Sequence, residues 1–136
     1  MIDVIVGPKG SGKSSGLVEE IIQKAQKEEN IVCIEHGKRF DRQIPYQVRL
    51  IDVTEYPVAN YDQLLAFLAG ISAKDYDISH VYIDSIYKIA GTEDTSELSK
   101  FFDNLKAFTE QLKINFTITI SDDLDKMPEN VKACAR

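Results

Sequence analysis

Short apolar runs alternate along this chain with longer amphipathic stretches. IDVIV (2–6) is apolar and β-branched and stops at Gly7, which predicts a buried strand. From Ser14 to about Glu29 the period lengthens. Leu17, Val18, Ile21, Ile22 and Ala25 share one face and Glu19, Glu20, Lys24 and Lys27 the other, the pattern of a helix. IVCIEH (31–36) predicts a second buried strand, followed by the polar loop GKRFDRQIPYQ. VRLIDV (48–53) predicts a third, shorter strand, with Pro57 blocking its continuation. Asn60 is placed to cap a helix reaching about Ala73, with Leu64, Leu65, Phe67, Leu68 and Ile71 as its apolar residues. HVYIDS (80–85) predicts a fourth strand and GTEDTSE a turn-rich loop. Thr95 or Ser96 then caps a helix to about Lys113, with Leu98, Phe101, Phe102, Leu105, Phe108 and Leu112 on one broad face. FTITIS (116–121) predicts a fifth strand. After the polar SDDLDKMPEN, Pro128 fits the first turn of a short helix in ENVKACAR.

Strands that alternate with helices, and read as apolar runs rather than clean alternations, indicate a parallel sheet covered on both faces. The expected fold class is α/β: three layers around a mostly parallel five-stranded sheet. The chain has 136 residues and shows no internal repeat, low-complexity segment or linker, so residues 1–136 read as one domain.

Charge and cysteine content narrow the function classes. Acidic residues outnumber basic ones by 22 to 16, a net charge of −6, which argues against broad nucleic-acid binding by clustered Lys and Arg. Cys33 and Cys134 lack partners at metal-ligand spacing and read as reduced thiols of a cytoplasmic protein. No apolar run approaches the roughly 20 residues needed to cross a bilayer, and MIDVIV is too short and lacks the basic flank of a signal peptide.

The chemistry concentrates in GPKGSGKS (7–14), which fits G-x-x-x-x-G-K-[ST], the P-loop or Walker A pattern. Gly7 turns the chain as it leaves the first strand. Gly10 and Gly12 permit backbone conformations closed to other residues, so successive N–H groups can point inward at a helix N-terminus. Gly7, Pro8, Lys9, Gly10, Ser11, Gly12, Lys13, Ser14 and Ser15 are the expected phosphate cradle. Lys13 would reach the β- and γ-phosphates, and the Ser14 hydroxyl would join Mg²⁺. Asp84 ends the apolar run VYID, the Walker B pattern, and is the second candidate metal group; the alternative is an Asp that caps a turn.

Hydrolysis would need a group that orients water. The residue after Asp84 is Ser85, so a Glu adjacent to the Walker B acid is absent. Glu35 ends the second strand as the catalytic Glu does in RecA-like ATPases, which this arrangement resembles; the alternative is a solvated acid at a strand end. In RecA-like sheets the strand after Walker B lies beside the P-loop strand and ends in a polar residue near the γ-phosphate, a role Ser121 could take unless it is a turn or helix cap. Asp122 and Asp123 read as solvated loop acids. Lys38, Arg39 and Arg42 form the one basic cluster; a solvated loop is expected, and contact with phosphate or action in trans is the alternative. His36 and His80 read as structural.

No N-K-x-D pattern is present, which makes ATP the better guess than GTP. No arginine follows Arg49 until Arg136, and no segment is long enough for a kinase lid. The whole chain resembles a group of small P-loop proteins of Gram-positive, clostridia-like bacteria, labelled ATP-binding proteins or, by remote analogy, twitching-motility ATPases. The resemblance rests on GPKGSGKS with its preceding strand, VRLIDVTEY, HVYIDSIYKIAG, and NFTITIS followed by acids. It implies a P-loop NTPase core. The motility motors are far larger and carry motifs not found here, so that label implies no function. The expectation is a Mg²⁺-dependent ATP-binding protein that hydrolyses ATP slowly or with a partner. The alternatives are a non-hydrolysing nucleotide switch, or a subunit of a homo-oligomer whose site is completed in trans.

Overall fold

In the computed structural model every residue is described except Glu28 and Tyr76. Five strands, β1 (Ile2–Gly7), β2 (Ile31–Glu35), β3 (Arg49–Asp52), β4 (His80–Ile83) and β5 (Asn115–Ser121), form one sheet. All pairings are parallel, and the spatial order is β1-β5-β4-β2-β3. β5 is thus inserted between β1 and β4, with Gly7 opposite Ser121. The carboxyl ends of all strands therefore share one edge of the sheet, the edge at which open α/β sheets bind ligands.

Helix α1 (Lys13–Ala25) covers one face; α2 (Tyr61–Lys74), α3 (Ile86–Ala90), α4 (Thr95–Thr109) and α5 (Glu129–Lys132) cover the other. The parity of the strands decides what each face buries. Val32, Ile34, Val81, Ile83, Phe116, Ile118 and Ile120 pack with α2 and α4 in the larger core. Ile31, Cys33 and Tyr82 face α1, whose Leu17, Val18, Ile21 and Ala25 complete the smaller core. The same parity puts His80 and Asp84, Thr117 and Thr119, and Glu35 on the α1 face. These are five of the six buried polar residues among the described residues. The run FTITI is therefore apolar on one face only, and its threonine hydroxyls serve the other.

Several boundaries differ from expectation for local reasons. α1 ends at Ala25, because Gln26 and Lys27 offer nothing to bury; the predicted span also included residue 28, which lies outside the described residues. β3 stops at Asp52, whose carboxylate takes the Thr54 N–H at 3.0 Å and turns the chain. Asn60 caps α2 as predicted, accepting from the Gln63 N–H at 2.8 Å. The cap of α4 is Asp94 rather than Thr95 or Ser96; its Oδ1 accepts from Ser96 N at 2.8 Å and Glu97 N at 3.4 Å. α4 ends at Thr109, where the Leu112 N–H turns back onto the Thr109 carbonyl. Pro128 is the cap of α5 rather than a residue within it. Beyond α5 the chain crosses to the sheet. The Val4 N–H donates to the Cys134 carbonyl at 2.9 Å, and the Arg136 N–H to the Val4 carbonyl at 3.0 Å, along the outer edge of β1. No helix among the described residues is long and apolar enough to cross a membrane.

Candidate functional site

The loop between β1 and α1 owes its shape to two glycines. Gly10 and Gly12 have φ of 81° and 85°, a region that side chains rarely enter, and Gly12 caps α1 without any side-chain bond. The first N–H groups of the 13-residue helix α1 are thereby left to face a ligand. Gly7 is fixed by space instead, since a Cβ there would lie 2.8 Å from Ser11 Oγ. Lys13 folds over the loop, donating to the Pro8 carbonyl at 2.8 Å and to Ser11 Oγ at 3.4 Å. Partial burial lowers its pKa, and the charge of Asp84 works against that shift.

Asp84 is the hub of the site. It is 1% exposed, and both carboxylate oxygens are engaged. Oδ1 accepts from Ser14 Oγ at 3.1 Å and from Thr119 Oγ1 at 2.8 Å. Oδ2 accepts from Ser85 Oγ at 3.1 Å and pairs with Arg39 Nη1 at 3.3 Å. The Thr119 hydroxyl also accepts the Ser85 N–H at 2.8 Å. Ser85 has φ 61°, the one positive φ outside glycine among the described residues. That conformation, costly for a residue with a side chain, turns the chain from β4 into α3 right beside the carboxylate.

A cavity of about 810 Å³ opens above these groups. It is lined by the glycine loop with Lys9, Lys13, Ser14 and Ser15, by Thr119 and Ser121 of β5, and by Arg39. Tyr87 and Lys88 of α3 and the following Gly91–Glu93 also line it. Its size falls within the usual range for small-molecule sites. Among the described residues, no three His, Cys, Asp or Glu side chains gather to hold a metal.

The structure thus brings together Lys13, Ser14, Asp84 and Ser121, four candidates spread from residue 13 to residue 121. Asp84 does not itself line the cavity, but its four side-chain partners, Ser14, Arg39, Ser85 and Thr119, all do; Glu35 has no such link apart from the backbone of Arg39. Glu35 is 1% exposed, its Oε1 accepts the N–H groups of Arg39 at 2.9 Å and Phe40 at 3.0 Å, and it does not line the cavity. It is therefore not a solvated strand-end acid. Burial raises its pKa against those two hydrogen bonds, and Oε2 is buried without a partner. Arg39, expected in a solvated loop, reaches back onto Asp84 and Ser85. Asp122, also expected to be solvated, accepts from Tyr87 Oη at 2.7 Å and ties β5 to α3. His80 is buried and structural: Nε2 meets Thr117 Oγ1 at 2.7 Å and the ring stacks on Tyr82 at 4.1 Å.

Thr119, Ser85, Tyr87 and Lys88 escaped the sequence reading. For Thr119 a signal existed: a threonine at the parity opposite Ile118 and Ile120 faces α1 two residues before Ser121. No protein-family model matches the chain, and a search of curated proteins finds no match.

Proposed function

We propose that the chain is a Mg²⁺-dependent ATP-binding P-loop protein and a slow or partner-activated ATPase. The observation that carries this reading is the Ser14–Asp84 hydrogen bond. It joins the end of the glycine motif, which lines the cavity, to an acid 70 residues away whose other side-chain partners, Arg39, Ser85 and Thr119, line it too. A serine hydroxyl and a carboxylate are hard oxygen donors, and Mg²⁺ takes few protein ligands beside phosphate and water. The donor set therefore fits this cation. In this reading the α1 N-terminus and the N–H groups around Gly10 and Gly12 hold phosphate, and Lys13 leaves the Pro8 carbonyl for the β- and γ-phosphates. Ser14 and Asp84 hold the metal, and Ser121 lies by the terminal phosphate.

Slow turnover follows from Glu35. Its Oε1 is occupied by two loop N–H groups and its side chain is buried, so it is poorly placed to orient water unless the 36–40 loop moves. This same observation favours the second reading, a nucleotide-binding switch that a partner or another copy of the chain completes.

Calorimetric titration of Mg·ATP and Mg·ADP into the chain, with Lys13→Ala as the control, tests the site. Lys13 is bonded only within its own loop, so the variant should stay folded. Binding by the wild type and at least tenfold weaker binding by the variant are expected. Absence of binding by the wild type, or equal binding by the two, would refute the reading.

A further inference from the structure

We propose that Arg39 is an exchangeable counter-ion. It neutralises Asp84 through Oδ2 before nucleotide arrives and transfers to the γ-phosphate once Mg²⁺ and a nucleoside triphosphate are bound. This rests on the nucleotide reading above.

Four observations support it. First, Arg39 is the ion-pair partner of Asp84 among the described residues, while Ser14, Ser85 and Thr119 contribute only hydroxyls. A carboxylate whose side chain is 2% exposed needs a cation nearby, and Arg39 supplies it. Second, the contact is weak. It is made through one nitrogen at 3.3 Å, and the Arg39 side chain is 46% exposed, whereas strong Arg–carboxylate pairs are shorter and bidentate. Third, the base of the side chain is fixed while its tip is held only through one nitrogen, at 3.3 Å from Asp84 Oδ2 and from Ser85 Oγ. Glu35 holds the N–H groups of Arg39 and Phe40, and Phe40 is buried in the core beneath α1. The guanidinium can therefore swing about a stationary backbone. Fourth, Arg39 lines the same cavity as Lys13 and Ser121, so the swing ends among the groups assigned to phosphate.

The exchange has a direct electrostatic cause. A divalent cation placed on Asp84 replaces the countercharge and repels the guanidinium. The γ-phosphate offers it paired oxygens that suit its planar fork. Glu35 then has a positioning role, as the anchor of the arginine loop. A diphosphate brings no γ-phosphate, so Mg²⁺ with a diphosphate displaces Arg39 without rehousing it.

The test measures binding rather than turnover. Wild type and Arg39→Gln are titrated with Mg·ADP and with Mg·AMP-PNP, a non-hydrolysable triphosphate, and Mn²⁺ binding in the presence of ADP is followed by electron paramagnetic resonance. The wild type should prefer the triphosphate. Arg39→Gln should lose roughly 10- to 100-fold in triphosphate affinity, the usual effect of removing hydrogen bonds to a charged group. Its ADP affinity should hold or rise, and Mn²⁺ should bind more tightly because its competitor is gone. An unchanged triphosphate-to-diphosphate ratio, or weaker Mn²⁺ binding, would overturn the proposal. If Arg39→Gln fails to fold, Arg39→Lys is judged by the same ratio: a smaller fall supports the exchange and no change overturns it. Failure of the wild type to bind either nucleotide would overturn the nucleotide reading itself, which separates the two failures.

Discussion

Thr119→Val isolates the support beneath Asp84. The two side chains have nearly the same shape, so the change is chiefly the loss of a hydroxyl from a position 2% exposed. That hydroxyl makes two bonds: it donates to Asp84 Oδ1 at 2.8 Å and accepts from the Ser85 N–H at 2.8 Å. Losing a bond to a carboxylate costs about 1.5–3 kcal/mol, and an N–H left without a partner about 1–3 kcal/mol. The two losses share one neighbourhood and do not add in full, so about 2–4 kcal/mol is expected. At this chain length each kcal/mol moves the thermal midpoint by about 3–5 °C, giving a fall of about 6–20 °C. Urea unfolding followed by circular dichroism should show a lower midpoint with an unchanged m-value. Thr117→Val is the control. Its hydroxyl makes one bond, to the buried imidazole of His80 instead of a carboxylate, and should cost about 1–2 kcal/mol, less than Thr119→Val. A loss below about 0.5 kcal/mol for Thr119→Val, or equal losses at the two positions, would refute the claim that Thr119 holds Asp84 and the strained Ser85 in place.

Two further perturbations test other parts of the structure. Burial, helped by the charges of Lys24 and Arg136 and opposed by Glu20 and Asp3, lowers the pKa of His80 from 6.5 to about 4. The unfolded chain thus takes up a proton that the folded chain refuses, so this stability is complete above pH 6.5 and is lost as the pH falls toward 4. The loss should reach about 2–3 kcal/mol by pH 4.5 and be missing from His80→Gln, measured by urea midpoints at pH 7 and 4.5. Parallel pH slopes for variant and wild type would refute it. Gly12→Ala places a Cβ where nothing lies within 4 Å, so its cost is that of φ 85° alone, about 1–2 kcal/mol in urea unfolding. A neutral result would show that the loop relaxes away from the left-handed region.

The periodicity carried the layers and the five strands because it depends only on which residues must be buried. The α3 segment IYKIA was missed because five residues give too short a sample of the helical period. What starts α3 is the φ of Ser85, and serine carries no sign of it. In the site, the glycine loop and Asp84 were legible because their spacing and their place at strand ends are local properties. The role of Arg39 was not. Its distance from Asp84 is 45 residues along the chain, and the pairing exists only because β2 and β4 are neighbours in the sheet. The apolar run IVCI puts Glu35 at the end of β2, but only the fold reveals that the next turn bends back and takes its carboxylate as an anchor.

The chain that returns past α5 to Val4 has a consequence for assembly. Unpaired strand edges are templates for adding further strands, and a filament grows only when each unit offers one at either flank. Here the middle of β1 is already engaged by Cys134 and Arg136, and Arg136 is further held by Asp3 at 3.4 Å and Glu20 at 2.7 Å. The flank that remains is the four-residue β3. Edge-to-edge pairing between copies would therefore meet the returning chain at the middle of β1, and at the other flank would find only four residues to pair with.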